Sequence, residues 1–151
     1  MLQLAREADW EAVKRLSVQV HELHVAWRPD IFRSVEEPYP KEKFLEDIRK
    51  RLVYVAKFGE TIVGYTMLSL GQADKPGQVP QKVMILESVC VEKSFRGHGI
   101  GKAMMTDVRA LAKAFGCRLI RLGVYPQNDE AVGFYQKCGF LIRSIQMDTT
   151  V

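Results

Sequence analysis

The sequence predicts an α/β fold, a mixed β-sheet with helices packed on its faces. Three observations lead there. β-rich and helical stretches follow one another in the order β-α-α-β-β-β-α-β-α-β; strands separated by helices tend to pair parallel and hairpins antiparallel, so the sheet is mixed. The chain has 151 residues, 47% hydrophobic and 26% charged, enough to bury roughly two-thirds of its unfolded surface without metal or disulfide staples. A strand also runs through the glycine-rich stretch Arg96–Gly101 into a helix. No repeat, low-complexity tract or linker interrupts the chain, so residues 1–151 are expected to form one domain.

Leu2–Ala5 reads as a short strand, and Asp9 is placed to cap a helix running to about Ala26. The stripe of that helix is Val13, Leu16, Val20, Leu23 and Trp27, whose spacings of 3, 4, 3 and 4 put one apolar face against a core. Pro29, Pro38 and Pro40 bracket a loop, and Pro40 opens a second helix through about Arg51. Leu52–Phe58 and Thr61–Leu70 form a hairpin about Gly59-Glu60, and Gln72–Pro80 is a loop by composition. Lys82–Val91 is the next strand; the helix after the glycine turn carries Ile100, Met104, Val108, Leu111 and Phe115 on one face and stops at Gly116. Arg118–Val124 is a strand, Asp129–Cys138 a helix ended by Gly139, and Phe140–Met147 a last strand.

Composition narrows the function. The longest apolar runs, such as Val83–Leu86, fall far short of the ~20 residues of a membrane span, and the first residues carry no signal-peptide core. Cys90, Cys117 and Cys138 are odd in number, widely spaced and without a Cys-x-x-Cys pair, which suits reduced thiols in a cytoplasmic protein better than a disulfide or zinc framework. The net charge of +4 can steer an anionic ligand, yet the densest basic cluster, Arg49–Arg51, is short and lacks interleaved aromatics. A DNA-binding helix-turn-helix would need a basic recognition helix, and none is present, so neither nucleic acid nor membrane is an expected partner.

The most informative stretch is Arg96-Gly97-His98-Gly99-Ile100-Gly101. Glycines let a backbone approach a ligand closely, and the first amides of a helix lack internal partners, so the turn predicts an anion site suited to phosphate. Its G-x-G-x-G spacing is not the dinucleotide G-x-G-x-x-G. A nucleotide-hydrolysing P-loop fails as well, because Ala103 stands where a magnesium-binding hydroxyl should follow Lys102.

Val89–Lys102, with Arg96, Gly99 and Gly101 at its centre, resembles the acetyl-CoA signature of the GNAT superfamily of N-acetyltransferases. Asn128–Phe140 resembles that family's second pattern, Asn-x-x-Ala-x-x-Phe-Tyr-x-x-x-Gly-Phe, on Asn128, Ala131, Phe134, Tyr135, Gly139 and Phe140. Lys93 departs from it where many members carry proline, which alters loop stiffness. The resemblance implies a mostly antiparallel sheet of six to seven strands flanked by about four helices. It also implies transfer of an acetyl group from acetyl-CoA to a primary amine of a small molecule, peptide or protein, by direct attack in a ternary complex. The strand before the turn would be bulged and would splay from the strand after the helix. The amides of Val89 and Val91 would bind the pantetheine arm, with Val89 the oxyanion donor, and Arg96, Gly97, His98, Gly99, Ile100, Gly101 and Lys102 would form the diphosphate turn. Asn128 would bind pantetheine or cap its helix, and Tyr135 would reach the sulfur.

A tyrosine with an ordinary pKa near 10 is protonated at neutral pH and can donate to a thiolate, so Tyr135 is the candidate general acid. Glu87 is the candidate base, expected on the face of Val89 and Val91 by strand alternation. A base matters most for alkyl amines, since deprotonating an amine of pKa near 10.4 at pH 7 costs about 4.6 kcal/mol, against about 1 for an α-amine. His21 and His24 lie beside the apolar stripe of the first helix. Without a third ligand they do not make a metal site, and two readings stay open: one of them lines the acceptor pocket, or both stand partly exposed without a role. Cys90, near the expected bulge, has no base to make it a nucleophile. A non-catalytic CoA-binding sensor or interaction module on the same fold is the alternative, and the sequence leaves monomer and homodimer open.

Overall fold

In the computed structural model, which describes residues 1–151, the sheet has five strands rather than six or seven. β1 (Leu2–Leu4), β2 (Val53–Phe58), β3 (Thr61–Ala73) and β4 (Gln81–Val91) pair antiparallel in sequence order, and β5 (Leu119–Leu122) joins β4 in parallel. Helices α1 (Trp10–Trp27) and α2 (Lys41–Arg49) pack on one face, α3 (Ile100–Ala114) and α4 (Asp129–Lys137) on the other. β2 shows why both faces fill. Val53 and Val55 point into the core under α1 and α2, Tyr54 and Ala56 into the core under α3, the period-two alternation of a strand buried on both sides.

The stripe of α1 splits in function along its length. Val13 and Leu16 are fully buried, whereas Leu23 is 38% exposed and Trp27 lies beyond the core. Asp9 does not cap α1 through its side chain. It already has helical angles (φ −86°, ψ −2°), and its carboxylate turns back to accept the Arg6 N–H at 2.8 Å, closing the 3-10 turn Glu7–Asp9. α2 starts after Pro40, whose carbonyl accepts the Phe44 N–H, and is over before Arg51, which adopts a left-handed φ of 58°. Inside α2, Asp47 is 1% exposed and accepts hydrogen bonds from the Tyr39 hydroxyl (2.6 Å) and the Lys43 ammonium (2.5 Å).

The expected last strand, Phe140–Met147, does not form. Residues 141–151 make no backbone–backbone hydrogen bond, and Leu141, Ile142, Ile145 and Met147 are 71–92% exposed. The segment is pinned at both ends instead, by the Phe140 N–H on the Tyr135 carbonyl and by Asp148 on Arg28. β5 is also shorter than the expected Arg118–Val124, because its ladder with β4 stops at Leu86–Leu122.

Candidate active site

Two irregularities in β4 build a cleft. Across β3 and β4 the register steps from Met67 opposite Ser88 to Leu68 opposite Leu86, so Glu87 is an extra residue with no partner, a β-bulge. The bulge resets the alternation: Leu86, Val89 and Val91 pack on the α3 side, while the Ser88 hydroxyl meets Tyr65 and Cys90 joins the opposite core. Glu87 therefore does not share a face with Val89 and Val91, because strict period two does not survive an inserted residue. It is exposed in the cleft wall, accepts a hydrogen bond from the Ser69 hydroxyl, and places the bulge at position 87 rather than beside Cys90.

Beyond Leu86–Leu122 the two strands separate. The Glu92 N–H donates to the Val63 carbonyl, which fixes Val63–Glu92 and Tyr65–Cys90 as hydrogen-bonded pairs and Gly64–Val91 and Thr66–Val89 as the intervening ones. Residues of such intervening pairs direct their N–H groups away from the partner strand. The Val89 and Val91 amides thus point to the side that β5 has vacated.

At the end of β4 the chain passes through a 3-10 turn, Lys93–Phe95, into the glycine stretch. Gly97 and Gly99 have φ of 79° and 80°, a region that side chains rarely tolerate. Gly101 is small for another reason: a Cβ there would sit 3.1 Å from the Phe134 ring, so it lets α4 approach α3. The first helical bond runs from the Ala103 N–H to the Gly99 carbonyl, leaving the Ile100, Gly101 and Lys102 amides without backbone acceptors. The Ile100 side chain is core, Lys102 is exposed, and the His98 ring lies 2.9 Å from the Arg96 carbonyl. Arg96 folds back, its Nε donating to the Val91 carbonyl at 3.0 Å, which ties the turn to the end of β4.

The opposite wall comes from the β5–α4 connection. Of the two roles open to Asn128, the helix cap is present: its Oδ1 accepts the Ala131 N–H at 3.2 Å while the residue also lines the cleft. Tyr135 lines the cleft too, wedged against Phe134 and Phe140, and burial pushes its phenol up to about 12. Burial likewise pushes the Cys90 thiol up to about 11, leaving it protonated and unreactive.

The third wall, from α1 and a residue after β5, brings His24, one of the two histidines that the sequence leaves as open candidates for a pocket, together with aromatics that no spacing links to it. His24 packs its ring against Trp27 (5.5 Å), Phe32 (5.4 Å) and Tyr125 (5.3 Å), and His24, Trp27 and Tyr125 all face the cleft. Trp27 ends the helical stripe and Tyr125 follows β5, so helical spacing alone could not place them together. Burial lowers the His24 pKa and keeps the ring neutral at pH 7. His21 turns elsewhere, its Nε2 2.7 Å from the Arg33 carbonyl. The cleft is about 130 Å³; Glu87 is its single acid, and no lysine or arginine lines it. A shallower depression of about 310 Å³ between β1 and α3 offers one titratable acid, Asp107, and that carboxylate is held by the Met1 amino group and the Leu2 N–H.

The fork, turn and tyrosine sit in a fold that recurs in known proteins. Over its full length the chain superposes on the F44R mutant of the BH1408 protein from Bacillus halodurans, with a TM-score of 0.94, 32% identity and 99% of that chain covered. It shares its fold with the aminoglycoside N-acetyltransferase AAC(6')-Iy solved in complex with CoA, at a TM-score of 0.71, 19% identity and full coverage of both chains. A probable spermine N(1)-acetyltransferase of Bacillus subtilis subsp. natto is 30% identical over 84 residues, 52% of each protein. The chain spans between 26% and 58% of the length of the curated relatives compared. The pattern of the Acetyltransferase (GNAT) family matches residues 18–140, most of the chain and every wall of the cleft, and the chain belongs to that family.

Proposed function

We propose that the protein transfers an acetyl group from acetyl-CoA to a primary amine held between α1 and the bulge of β4. The observation that carries this is the fork beyond Leu86–Leu122, where Val89, Glu87 and Tyr135 line one cleft and the Val91 amide points to the same vacated side of β4. The residues present fit the coenzyme: the free amides at Ile100, Gly101 and Lys102, with the open backbone of Gly97 and Gly99, suit a diphosphate, and the Val89 and Val91 amides suit an extended amide-bearing arm. When bound, acetyl-CoA supplies the acetyl group as an activated thioester.

The chain's own groups divide the remaining work. Glu87, through water or directly, accepts the proton of the incoming ammonium. The Val89 N–H donates to the carbonyl oxygen as negative charge develops there. Tyr135 holds its proton at the phenol oxygen and donates it toward the departing sulfur; burial raises the phenol to about 12, which keeps it in the acid form through neutral pH. The rings of Trp27, Tyr125 and His24, with Glu87 alone carrying charge, suit an amine with an apolar or aromatic body over one bearing a phosphate.

An acceptor panel scored by free-thiol release tests this, using phenethylamine, n-butylamine, spermidine, glucosamine 6-phosphate and a peptide α-amine, with Tyr135→Phe and Glu87→Gln as controls. Saturable thiol release with at least one amine, reduced in both variants, is expected. Acetyl-CoA binding with no release from any amine would replace the transferase with a non-catalytic CoA-binding module.

A further inference from the structure

The bulge turns two consecutive side chains to one face of β4. On β3, Leu68 lies in the core under α3, while Tyr65 and Met67 pack under α1 and α2, so Ser69 stands on the α1–α2 face with them. Glu87 accepts a hydrogen bond from Ser69, and the Ser88 hydroxyl lies 2.7 Å from the Tyr65 phenol oxygen. Residues 87 and 88 therefore share the α1–α2 face, which a regular strand would forbid and an inserted residue permits. Both line the cleft, and α1 contributes Val20, His24 and Trp27 to the same cleft.

β3 holds Ser88 by two of its groups. Thr66, fully buried, donates its hydroxyl to the Ser88 carbonyl at 3.1 Å. Tyr65 is 2% exposed, and Ser88 is the hydrogen-bond partner of its phenol. A buried O–H left without an acceptor is costly, so the phenol donates to the Ser88 oxygen. A serine hydroxyl offers one donor and two lone pairs; Tyr65 occupies one lone pair, and the second lone pair and the Ser88 proton stay unspent. The phenol itself is fixed from behind, because Tyr65 stacks on Tyr39 (6.4 Å between centroids), whose hydroxyl donates to Asp47 of α2.

We infer that Ser88 contacts the acceptor: its unspent lone pair takes an N–H of the amine beside Glu87, with Tyr65 the positioning residue behind it, a role that rests on acetyl transfer in this cleft. A primary amine that has lost its proton keeps two N–H groups and attacks through its lone pair. A neutral acceptor fixed on one N–H aims that lone pair without competing for the proton. Glu87 removes the proton, and Ser88 orients the nitrogen that remains. Neighbours in one strand can divide this work because the bulge puts them on the same face.

The titrating groups about Ser88 are Glu87, His24 of α1, Lys43 of α2, which feels the charge of Glu87, and Tyr65 and Tyr135. Ser88 does not ionise, and burial pushes the Tyr65 phenol above its ordinary range, so their contact is the same at pH 7 and at pH 10.

Thiol-release kinetics with a primary amine that the wild type acetylates, phenethylamine first, test the role on Ser88→Ala, Tyr65→Phe and the double variant. The double variant leaves no stranded phenol, so it keeps the test open if Ser88→Ala folds poorly. Ser88→Ala should lower acceptor kcat/KM by about 10-fold, equally at pH 7 and pH 10, with the acetyl-CoA dissociation constant unchanged. Tyr65→Phe should show a smaller loss, and the double variant should match Ser88→Ala. Wild-type kcat/KM in Ser88→Ala would overturn the contact and leave acetyl transfer standing. So would a deficit that vanishes at pH 10, since Ser88 would then act only through Glu87, or single losses that multiply in the double variant. A wild type that releases thiol with no amine at all would remove acetyl transfer and the contact together.

Discussion

Leu86 and Leu122 are the last paired residues of β4 and β5, and Glu87, the unpaired residue of the β4 bulge, comes immediately after the first of them. Fork and bulge thus coincide, so the position where β4 loses its neighbour is also the position where a carboxylate turns into the gap. Replacing that carboxylate with an isosteric amide separates its charge from its shape. Glu87→Gln should lower kcat/KM for an alkyl amine by about 10- to 100-fold at pH 7. The deficit should shrink toward pH 10, where the amine deprotonates without help. A constant deficit from pH 6 to 10, read from initial rates of thiol release, would assign Glu87 a binding role only.

In the proposed mechanism Tyr135 sets the alkaline side of the profile. Burial pushes its phenol up to about 12, so the acid form persists through the range in which an ordinary tyrosine ionises near 10. The kcat of the wild type should show no alkaline fall below about pH 10.5. Tyr135→Phe should lower kcat by about 100-fold while the acetyl-CoA dissociation constant, read by calorimetry, moves far less. A wild-type kcat that halves between pH 9 and 10 would contradict a buried phenol as the acid.

In the proposed mechanism Trp27 and His24 line the acceptor side of the cleft. Trp27→Ala removes one ring from the wall that packs around His24, and should raise the acceptor KM by about 10-fold or more with little change in kcat, since an aromatic contact is worth roughly 0.5–1.5 kcal/mol beyond the area it buries. The His24 pKa is lowered by burial first, and the neighbouring His21 pushes it the same way. A group whose folded pKa lies below its unfolded value binds more protons when unfolded, so stability rises with pH across that window. His24 therefore costs stability as pH falls below about 6.5, and its protonation also places a positive charge beside a cationic acceptor. Acceptor KM should climb below pH 6 in the wild type and stay flat in His24→Phe.

The order of elements, the glycine turn and the second motif were legible in the sequence because each leaves a local mark: period 3.6 in α3, Gly97 and Gly99 before it, Asn128 before α4. The bulge at Glu87 was not, since an inserted residue shows only against its partner strand, and the partner Met67–Leu68 lies well away in sequence. The aromatic wall was hidden likewise, because Trp27, Phe32 and Tyr125 come from three segments that meet only in the folded chain. Phe140–Met147 has strand composition and no strand, because composition reports a preference for pairing and says nothing of whether an edge is within reach.

The turn offers a test of backbone against side chain. Gly99 holds φ at 80°, and a Cβ added there would have nothing within 4 Å, so Gly99→Ala meets no neighbour and suffers only the left-handed backbone, a penalty of about 1–2 kcal/mol. Gly101 has ordinary helical angles, but its Cβ would sit 3.1 Å from Phe134, so Gly101→Ala pushes α4 from α3 and should cost about 1–3 kcal/mol. Phe134→Leu should relieve the second variant and leave the first unchanged, a difference that thermal melting of the single and double variants reads directly.

Asp47 provides the corresponding test in the α1–α2 core. Its carboxylate is 1% exposed and accepts from both Tyr39 and Lys43, and burial, followed by the bond to Asp47, raises the Tyr39 phenol well above its ordinary range. Asp47→Ala strands the buried Tyr39 hydroxyl and opens a small void, so denaturant unfolding should show a loss of about 2–4 kcal/mol. Pairing Asp47→Ala with Tyr39→Phe removes the stranded donor. The double variant should then recover about 1 kcal/mol or more relative to Asp47→Ala alone. Strict additivity of the two single losses would mean that the Tyr39–Asp47 hydrogen bond contributes nothing to holding α2 against the sheet.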